Sequence, residues 1–239
     1  MTAGFQCKQF FIAHQHCAMK VGTDAMLLGA WAQLPTQGAV LDIGCGSGIL
    51  SLMLAQRSHG QLRIDALDLD DGAVLQTQLN AQVSPWPSAI RVLKQDILTY
   101  QPTERYSLLI SNPPYFHQAL PAANPARHRA RHSEQMPWPD LLQHAAQLID
   151  VEGSFDLVIP FEAASSLISL AAEHGWQPVR MTQVQSKAGR PPIRCLLSLQ
   201  RLSSQTALNG SVTSLCITDA NGDYTADYRR LLHDFYLKF

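Results

Sequence analysis

Ala39-Val-Leu-Asp-Ile-Gly-Cys-Gly-Ser-Gly48, followed by Ile49 to Arg57, decides the fold of this 239-residue chain. A short apolar run bounded by glycines reads as a buried strand. Leu50, Met53 and Leu54 then fall at helical spacing. Glycines at 44, 46 and 48 let the backbone turn and leave no Cβ between a ligand and the helix N-terminus. The last of them comes one residue too early for G-x-G-x-x-G, and no Gly-Lys-Ser/Thr follows. The turn therefore suits neither a pyrophosphate-bearing cofactor nor a P-loop. Strand, turn and helix together predict an α/β chain whose ligand lies at the carboxyl edge of a parallel sheet. Asp42, inside the strand, is a candidate for that site with Gly44, Gly46 and Gly48.

Downstream, Leu62 to Asp68 reads as the next strand, ending in an acid placed to accept ribose hydroxyls. Asp70 competes for that role, although Asp70 and Asp71 also suit the N-cap and first turn of a helix over 72–83. Ser84-Pro-Trp-Pro87 ends the helix. A third strand, Ile90 to Leu93, leads to Asp96-Ile97, a carboxylate for an adenine amino group and an apolar cover for its ring. A fourth, Tyr106 to Ile110, stops at Ser111 and runs into Asn112-Pro-Pro-Tyr115. A residue before proline is held extended, and proline donates nothing to a sheet. The four residues are thus a stiff lip at the same edge. Its amide, the Pro113 carbonyl and the Tyr115 ring suit a planar group that bears an NH2. Each piece alone is ordinary: a capped helix, a loop acid, a Pro-rich turn. Their order along one chain carries the reading.

Working outward, residues 5–12 read as a short strand or arm, and Thr23 or Asp24 as the N-cap of a helix over Ala25 to Trp31. After the lip, the polar loop 117–135 carries Arg127-His-Arg-Ala-Arg-His132, suited to phosphates. Helices are expected over Trp138–Leu148 and Phe161–His174, and strands over Ser154–Ile159, Val179–Gln185 and Arg194–Leu199, the last two as an antiparallel pair. Lys187, Arg190 and Arg194 surround that hairpin as a second phosphate site. Residues 203–211 read as linker, Val212–Thr218 as an edge strand and Tyr224–Lys238 as a final helix. A net charge of −1 excludes a uniformly basic nucleic-acid coat but not local patches. Five scattered cysteines with no Cys-x-x-Cys argue against a disulfide framework or closed zinc site. His14-x-His16-Cys17 lacks a second ligand pair, so no metal is expected. No apolar run reaches about 18 residues and no secretory pattern opens the chain, which reads as cytoplasmic.

Val40 to Gly48, Asp68, Asp96 and Asn112-Pro-Pro-Tyr115, in that order and spacing, resemble the S-adenosylmethionine-dependent methyltransferases of the Rossmann-like class. Asn-Pro-Pro-Tyr is similar to the motif of those that methylate a nitrogen on a planar group: adenine N6, guanine N2 or a glutamine amide. Phe10-Phe-Ile-Ala-His14, Cys17-Ala-Met-Lys-Val-Gly-Thr-Asp24, Leu27-Leu-Gly-Ala-Trp31 and Phe235-Tyr-Leu237 are similar to bacterial tRNA adenine-N6 methyltransferases, and the likeness runs over nearly the whole chain. The resemblance implies a doubly wound, mostly parallel, seven-stranded sheet with an antiparallel end strand. It implies a single domain over 1–239, divided into an N-terminal arm and helix (1–35), a Rossmann-like core (36–200) and a C-terminal extension (201–239). S-adenosylmethionine would be held by Thr23, Asp42, Gly44, Gly46, Gly48, Asp68, Leu69, Asp96, Ile97 and Asn112. Asn112, Pro113, Pro114 and Tyr115 would serve catalysis at an adenine beside the anticodon. Arg127, Arg129, Arg131, Lys187 and Arg190 would hold the tRNA, the partner of a chain expected to be monomeric. The glycine motif begins near residue 40, which leaves no room for the large N-terminal recognition domain expected of glutamine or two-domain guanine enzymes. Two departures are Cys45 in the turn and an aspartate, not a glutamate, at position 68.

Overall fold

The computed structural model describes residues 3–17, 19–113, 137–202 and 210–239. In chain order the elements are β1 (Gly4–Gln6), β2 (Phe11–Ala13), α1 (Thr23–Trp31), β3 (Ala39–Ile43), α2 (Ile49–Arg57), β4 (Arg63–Asp68), α3 (Asp71–Gln82), β5 (Ile90–Lys94) and β6 (Tyr106–Ser111). After them come α4 (Trp138–Leu148), β7 (Ile149–Pro160), a 3-10 turn (Phe161–Ala163), α5 (Ala164–Glu173), β8 (Trp176–Lys187), β9 (Pro192–Arg201), β10 (Ser211–Thr218) and α6 (Ala226–Leu232). β1 and β2 pair with each other, and the rest form one sheet in the order β10-β8-β9-β7-β6-β3-β4-β5.

β3 is buried along its whole length because both faces of the sheet are covered. Period-two alternation sends Val40 into one core, with Leu28 of α1, Met53 of α2, Ala81 of α3 and Leu232 of α6. It sends Leu41 and Ile43 into the other, with Leu142 of α4 and Ala171 of α5. The α/β class and the mostly parallel sheet therefore stand as expected.

The strand count does not. The sheet has eight strands among the described residues, and its antiparallel strand, β9, lies between β7 and β8 and not at the end. A short turn joins β8 to β9, which forces them antiparallel. β10 pairs parallel to β8 and forms the edge. The N-terminal segment is likewise a hairpin, not a single strand, turning where Cys7 N donates to the Phe10 carbonyl at 2.9 Å. The N-cap of α1 is Gly22, which has no side chain to cap with, and the Asp24 carboxylate is paired with Arg194 (3.0 Å). α6 is shorter than expected. Thr225 caps its start, and the chain then turns so that Phe235 and Tyr236 pack back with Phe5 and Tyr228.

The parallel strands all end at one edge. Arg194 pairs with Pro160 on one side and Val184 on the other, so the β8–β9 turn shares that edge.

Candidate active site

Asp42, Gly44–Gly48, Asp68, Asp96 and Asn112 come together where β6, β3, β4 and β5 end side by side. At about 4.8 Å per strand, Asp68 and Asn112 stand roughly 10 Å apart across the edge. The glycine loop is held from below: Gly44 N and Cys45 N both donate to the Leu67 carbonyl at 2.9 Å. Gly46 N donates to Asp68 Oδ2 at 2.9 Å, and Asp70 N donates to Asp68 Oδ1 at 3.0 Å. Gly44 and Gly46 have φ of 72° and 56°, and a Cβ built on either meets nothing within 4 Å. The backbone there borders open space. Gly48 is glycine for a different reason: its Cβ would lie 2.8 Å from Thr77 Cγ2.

Asp42 departs from its expected place. It is fully buried beneath the loop, with Oδ2 accepting from Ser51 N (3.1 Å) and Ser51 Oγ (2.7 Å), and so fastens the start of α2. Oδ1 has no hydrogen-bond partner. Burial, with a smaller contribution from the Asp68 charge, raises its pKa to about 7 against the Ser51 hydrogen bonds. Burial also raises buried Asp156 on β7 to about 6, against its bond from Ser198 Oγ (2.6 Å). Both folded values lie above the ordinary carboxylate value, so their contribution to stability is full below about pH 4 and lost as pH rises through about 6 to 7. The melting temperature should fall over that window, and the Asp42→Asn/Asp156→Asn double variant should flatten the fall. Circular dichroism melts across the window check this, and an equally steep fall in the double variant would contradict it.

Asp70 is the N-cap of α3, with Oδ1 accepting from Ala73 N at 2.8 Å, while Asp68 uses both oxygens to hold backbone N–H groups at the strand end. Leu69 beside it is 59% exposed at the rim. Asp96 folds into a turn in which Oδ1 accepts from Leu98 N at 2.9 Å. That turn sends Ile97 inward with Leu67 and Leu109, at 3% exposure. Ser111 Oγ donates to the Ile43 carbonyl at 2.7 Å, fixing the exit of β6 to β3 and leaving Asn112 half-buried and Pro113 buried. Thr23, exposed at the start of α1, is brought over the β9 side of the edge by the Asp24–Arg194 pair. Lys187 and Arg190 are exposed at the β8–β9 turn, on the same edge and about 15 Å from β6 by strand spacing. Arg194 is engaged with Asp24 and does not join them as an open phosphate contact. Pro114, Tyr115, Arg127, Arg129 and Arg131 lie outside the described residues.

Sequence reasoning expected α3 but missed what its inner face does. Gln76, Thr77 and Asn80 are buried polar residues on its inner face. Thr77 Oγ1 donates to the Gly46 carbonyl (2.9 Å), and Asn80 Nδ2 to the Ser47 carbonyl (2.8 Å). The same Asn80 amide donates to the Ala13 carbonyl (2.8 Å) and accepts from Ala13 N (3.1 Å), while Gln76 Oε1 accepts from His16 N (3.1 Å). One helix thus clamps the N-terminal arm to the glycine loop. The arm runs on to Cys17, whose thiol is pushed up to about 11 by burial and then by the charges of Asp68 and Asp70.

Open backbone at Gly44 and Gly46, a carboxylate at each of two neighbouring strand ends and no cation in the loop 44–48 suit a nucleoside with hydroxyl and amino groups. They do not suit a phosphate. Among the described residues no group of His, Cys, Asp and Glu is arranged to hold a metal ion.

Solved structures show the same fold. A predicted O-methyltransferase from Agrobacterium tumefaciens superposes with a TM-score of 0.65 at 16% identity over 89% of this chain and 96% of its own. The glycopeptide N-methyltransferase MtfA, crystallised with S-adenosyl-L-methionine, gives 0.58 at 11% identity over 78% and 97%. The family model of the methyltransferase small domain matches residues 16–168. Proteins named tRNA1(Val) (adenine(37)-N6)-methyltransferase are far more similar in sequence. That of Dickeya chrysanthemi is 45% identical over 99% of this chain and 95% of its own length. That of Photorhabdus laumondii is 42% identical over 99% and 96%. The chain belongs to the methyltransferase small-domain family and, within it, to the family of the tRNA1(Val) (adenine(37)-N6)-methyltransferases.

Proposed function

We propose that this chain transfers the methyl group of S-adenosylmethionine to N6 of adenine 37 in tRNA1(Val). The observation that carries the reading is the pairing of an open glycine loop and Asp68 with Asn112-Pro113 on the adjoining strand ends, in a chain 45% identical to relatives of that name. Asp68 would accept from the ribose hydroxyls, Asp96 from the adenine amino group of the cofactor, and Gly44 and Gly46 would let it lie against the backbone. Thr23 and Leu69 would close the rim. Asp42 would act from beneath, by holding α2 and the loop in place. The cofactor, when bound, supplies a methyl group on a sulfonium that leaves as a neutral thioether.

The protein's part is then positioning. The target adenine is drawn out of its stack into the edge. Asn112 Oδ1 and the Pro113 carbonyl would accept from its amino group and aim the nitrogen lone pair. The Ser111–Ile43 bond keeps that lip at a fixed height above β3. The product ammonium is acidic and loses its proton to water, so the lip needs no strong base. Pro114, Tyr115 and the arginines 127, 129 and 131 would complete the base pocket and RNA grip, joined by Lys187 and Arg190. A cytoplasmic monomer acting on free tRNA fits this chemistry. No helix among the described residues is long and apolar enough to cross a membrane.

Labelled methyl donor offered tRNA, rRNA and release factor in parallel tests the reading. Label is expected in tRNA, as N6-methyladenosine on nucleoside mass spectrometry. Label confined to rRNA guanine or to protein glutamine would overturn it.

A further inference from the structure

Between Cys17 and Asp24 the chain passes from the α3 side of the catalytic edge to its β9 side. At one end the arm is held on α3. His16 N donates to Gln76 Oε1 at 3.1 Å, and the His16 carbonyl lies against Gly72, where a Cβ would clash with it. The charges of Asp68 and Asp70 reach the Cys17 thiol there. At the other end Asp24 Oδ2 accepts from Arg194 Nε at 3.0 Å, and Arg194 itself pairs with Pro160 at the end of β7 and with Val184 of β8. In the sheet order β4 and β9 are four strand spacings apart, about 19 Å, and seven extended residues reach about 24 Å. The crossing therefore has little slack and passes β3 and β6, where the glycine loop and Asn112 stand.

We propose that Asp24 and Arg194 are positioning residues for cofactor binding, their ion pair holding the crossing segment over the open backbone of Gly44 and Gly46. Little else fixes the segment. Among the described residues the backbone of 19–22 is engaged only at Gly22, whose carbonyl accepts from Met26 N at 3.3 Å. No side chain caps α1 there. Val21 packs against the core that contains Cys45 and Leu50, which keeps the segment beside the loop. The far end of α1 is fastened separately. Trp31 Nε1 donates to Thr182 Oγ1 at 2.8 Å, and the Trp31 carbonyl accepts from Arg180 Nη2 at 3.1 Å. Breaking Asp24–Arg194 thus loosens the start of α1 and the segment before it, and leaves the helix seated. The two side chains are 21% and 27% exposed, so their charge-assisted bond is largely shielded from water. A segment ordered in advance spares the cofactor the cost of ordering it.

This inference rests on the reading of Gly44–Gly48 and Asp68 as the cofactor site, so Asp68→Ala is the control. Asp24→Ala, Arg194→Gln and the double variant are compared with the wild type by S-adenosylmethionine calorimetry and by steady-state transfer to tRNA. Each single variant should weaken cofactor affinity and raise its KM about tenfold, with kcat at saturating cofactor and KM for tRNA within about twofold of wild type. The double variant should be no weaker than the weaker single, as for two halves of one contact. Arg194→Lys keeps the charge and should recover part of the affinity; it also decides the matter if Arg194→Gln fails to fold by circular dichroism. Wild-type affinity in the single variants, with Asp68→Ala weakened, would overturn the proposal. So would losses that multiply in the double variant. A raised KM for tRNA in Arg194→Gln at unchanged cofactor affinity would return Arg194 to the RNA and overturn it as well. Wild-type affinity in Asp68→Ala would instead refute the site, and the role of the pair would fall with it.

Discussion

Replacing Asn112 with alanine is expected to cut methyl transfer to tRNA by about 100-fold or more, the scale of a lost positioning contact. The side chain follows a strand end pinned by Ser111 Oγ to the Ile43 carbonyl, so the acceptor it offers is held in place before any base arrives. Alanine removes the acceptor and leaves that backbone intact. Cofactor affinity should barely change, because Asn112 would face the acceptor base and Asp68, the proposed ribose acid, lies on β4, two strands away. Single-turnover transfer and calorimetry on the same preparation separate the two effects. A fully active Asn112→Ala, folded by circular dichroism, would remove the lip from the mechanism.

Asp68→Ala should show the opposite pattern. Two charge-assisted hydrogen bonds to ribose hydroxyls, each about 1.5–3 kcal/mol, would be lost, so S-adenosylmethionine should bind at least about 100-fold more weakly. The substitution also frees Gly46 N, whose partner is Asp68 Oδ2, so the loop itself loosens. Asp68→Asn keeps an acceptor for that N–H and should recover part of the loss. Transfer measured at saturating cofactor should recover most of its rate in both variants. Unchanged affinity in Asp68→Ala would move the ribose to Asp70, although Asp70 Oδ1 is already bonded to Ala73 N.

The legible parts of this chain were those set by local rules. α2 and α4 span the residues their apolar spacing predicts, and Asp70 caps α3 as its position before the helix suggested. The glycine turn was legible because three glycines in five residues have few other uses. What was not legible depends on partners distant in sequence. β7 and β8 extend past their apolar runs because neighbouring strands pair with the extra residues. β9 sits inside the sheet because β7 and β8 pair with it on either side. α3 reads backwards: Leu75 and Leu79, 45% and 41% exposed, suggest its inner face, whereas Gln76 and Asn80, at 1% and 2%, form it. Hydrophobic spacing cannot reveal a helix whose buried face is polar in order to hold two backbone segments. Asp42 was recognised as part of the site, but its place beneath the loop follows from strand alternation and Ser51, not from the motif.

That helix has a thermodynamic consequence. The Asn80 amide joins Ala13 to Ser47, so the arm and the glycine loop share one clamp and cannot order independently. Whatever free energy a nucleoside gains by fixing the loop is also felt at the arm, and by reciprocity a frayed arm weakens the nucleoside's hold by the same amount. Affinity at the sheet edge therefore contains a contribution from residues that touch no ligand. The stability of a three-residue strand, β2, becomes part of the binding constant.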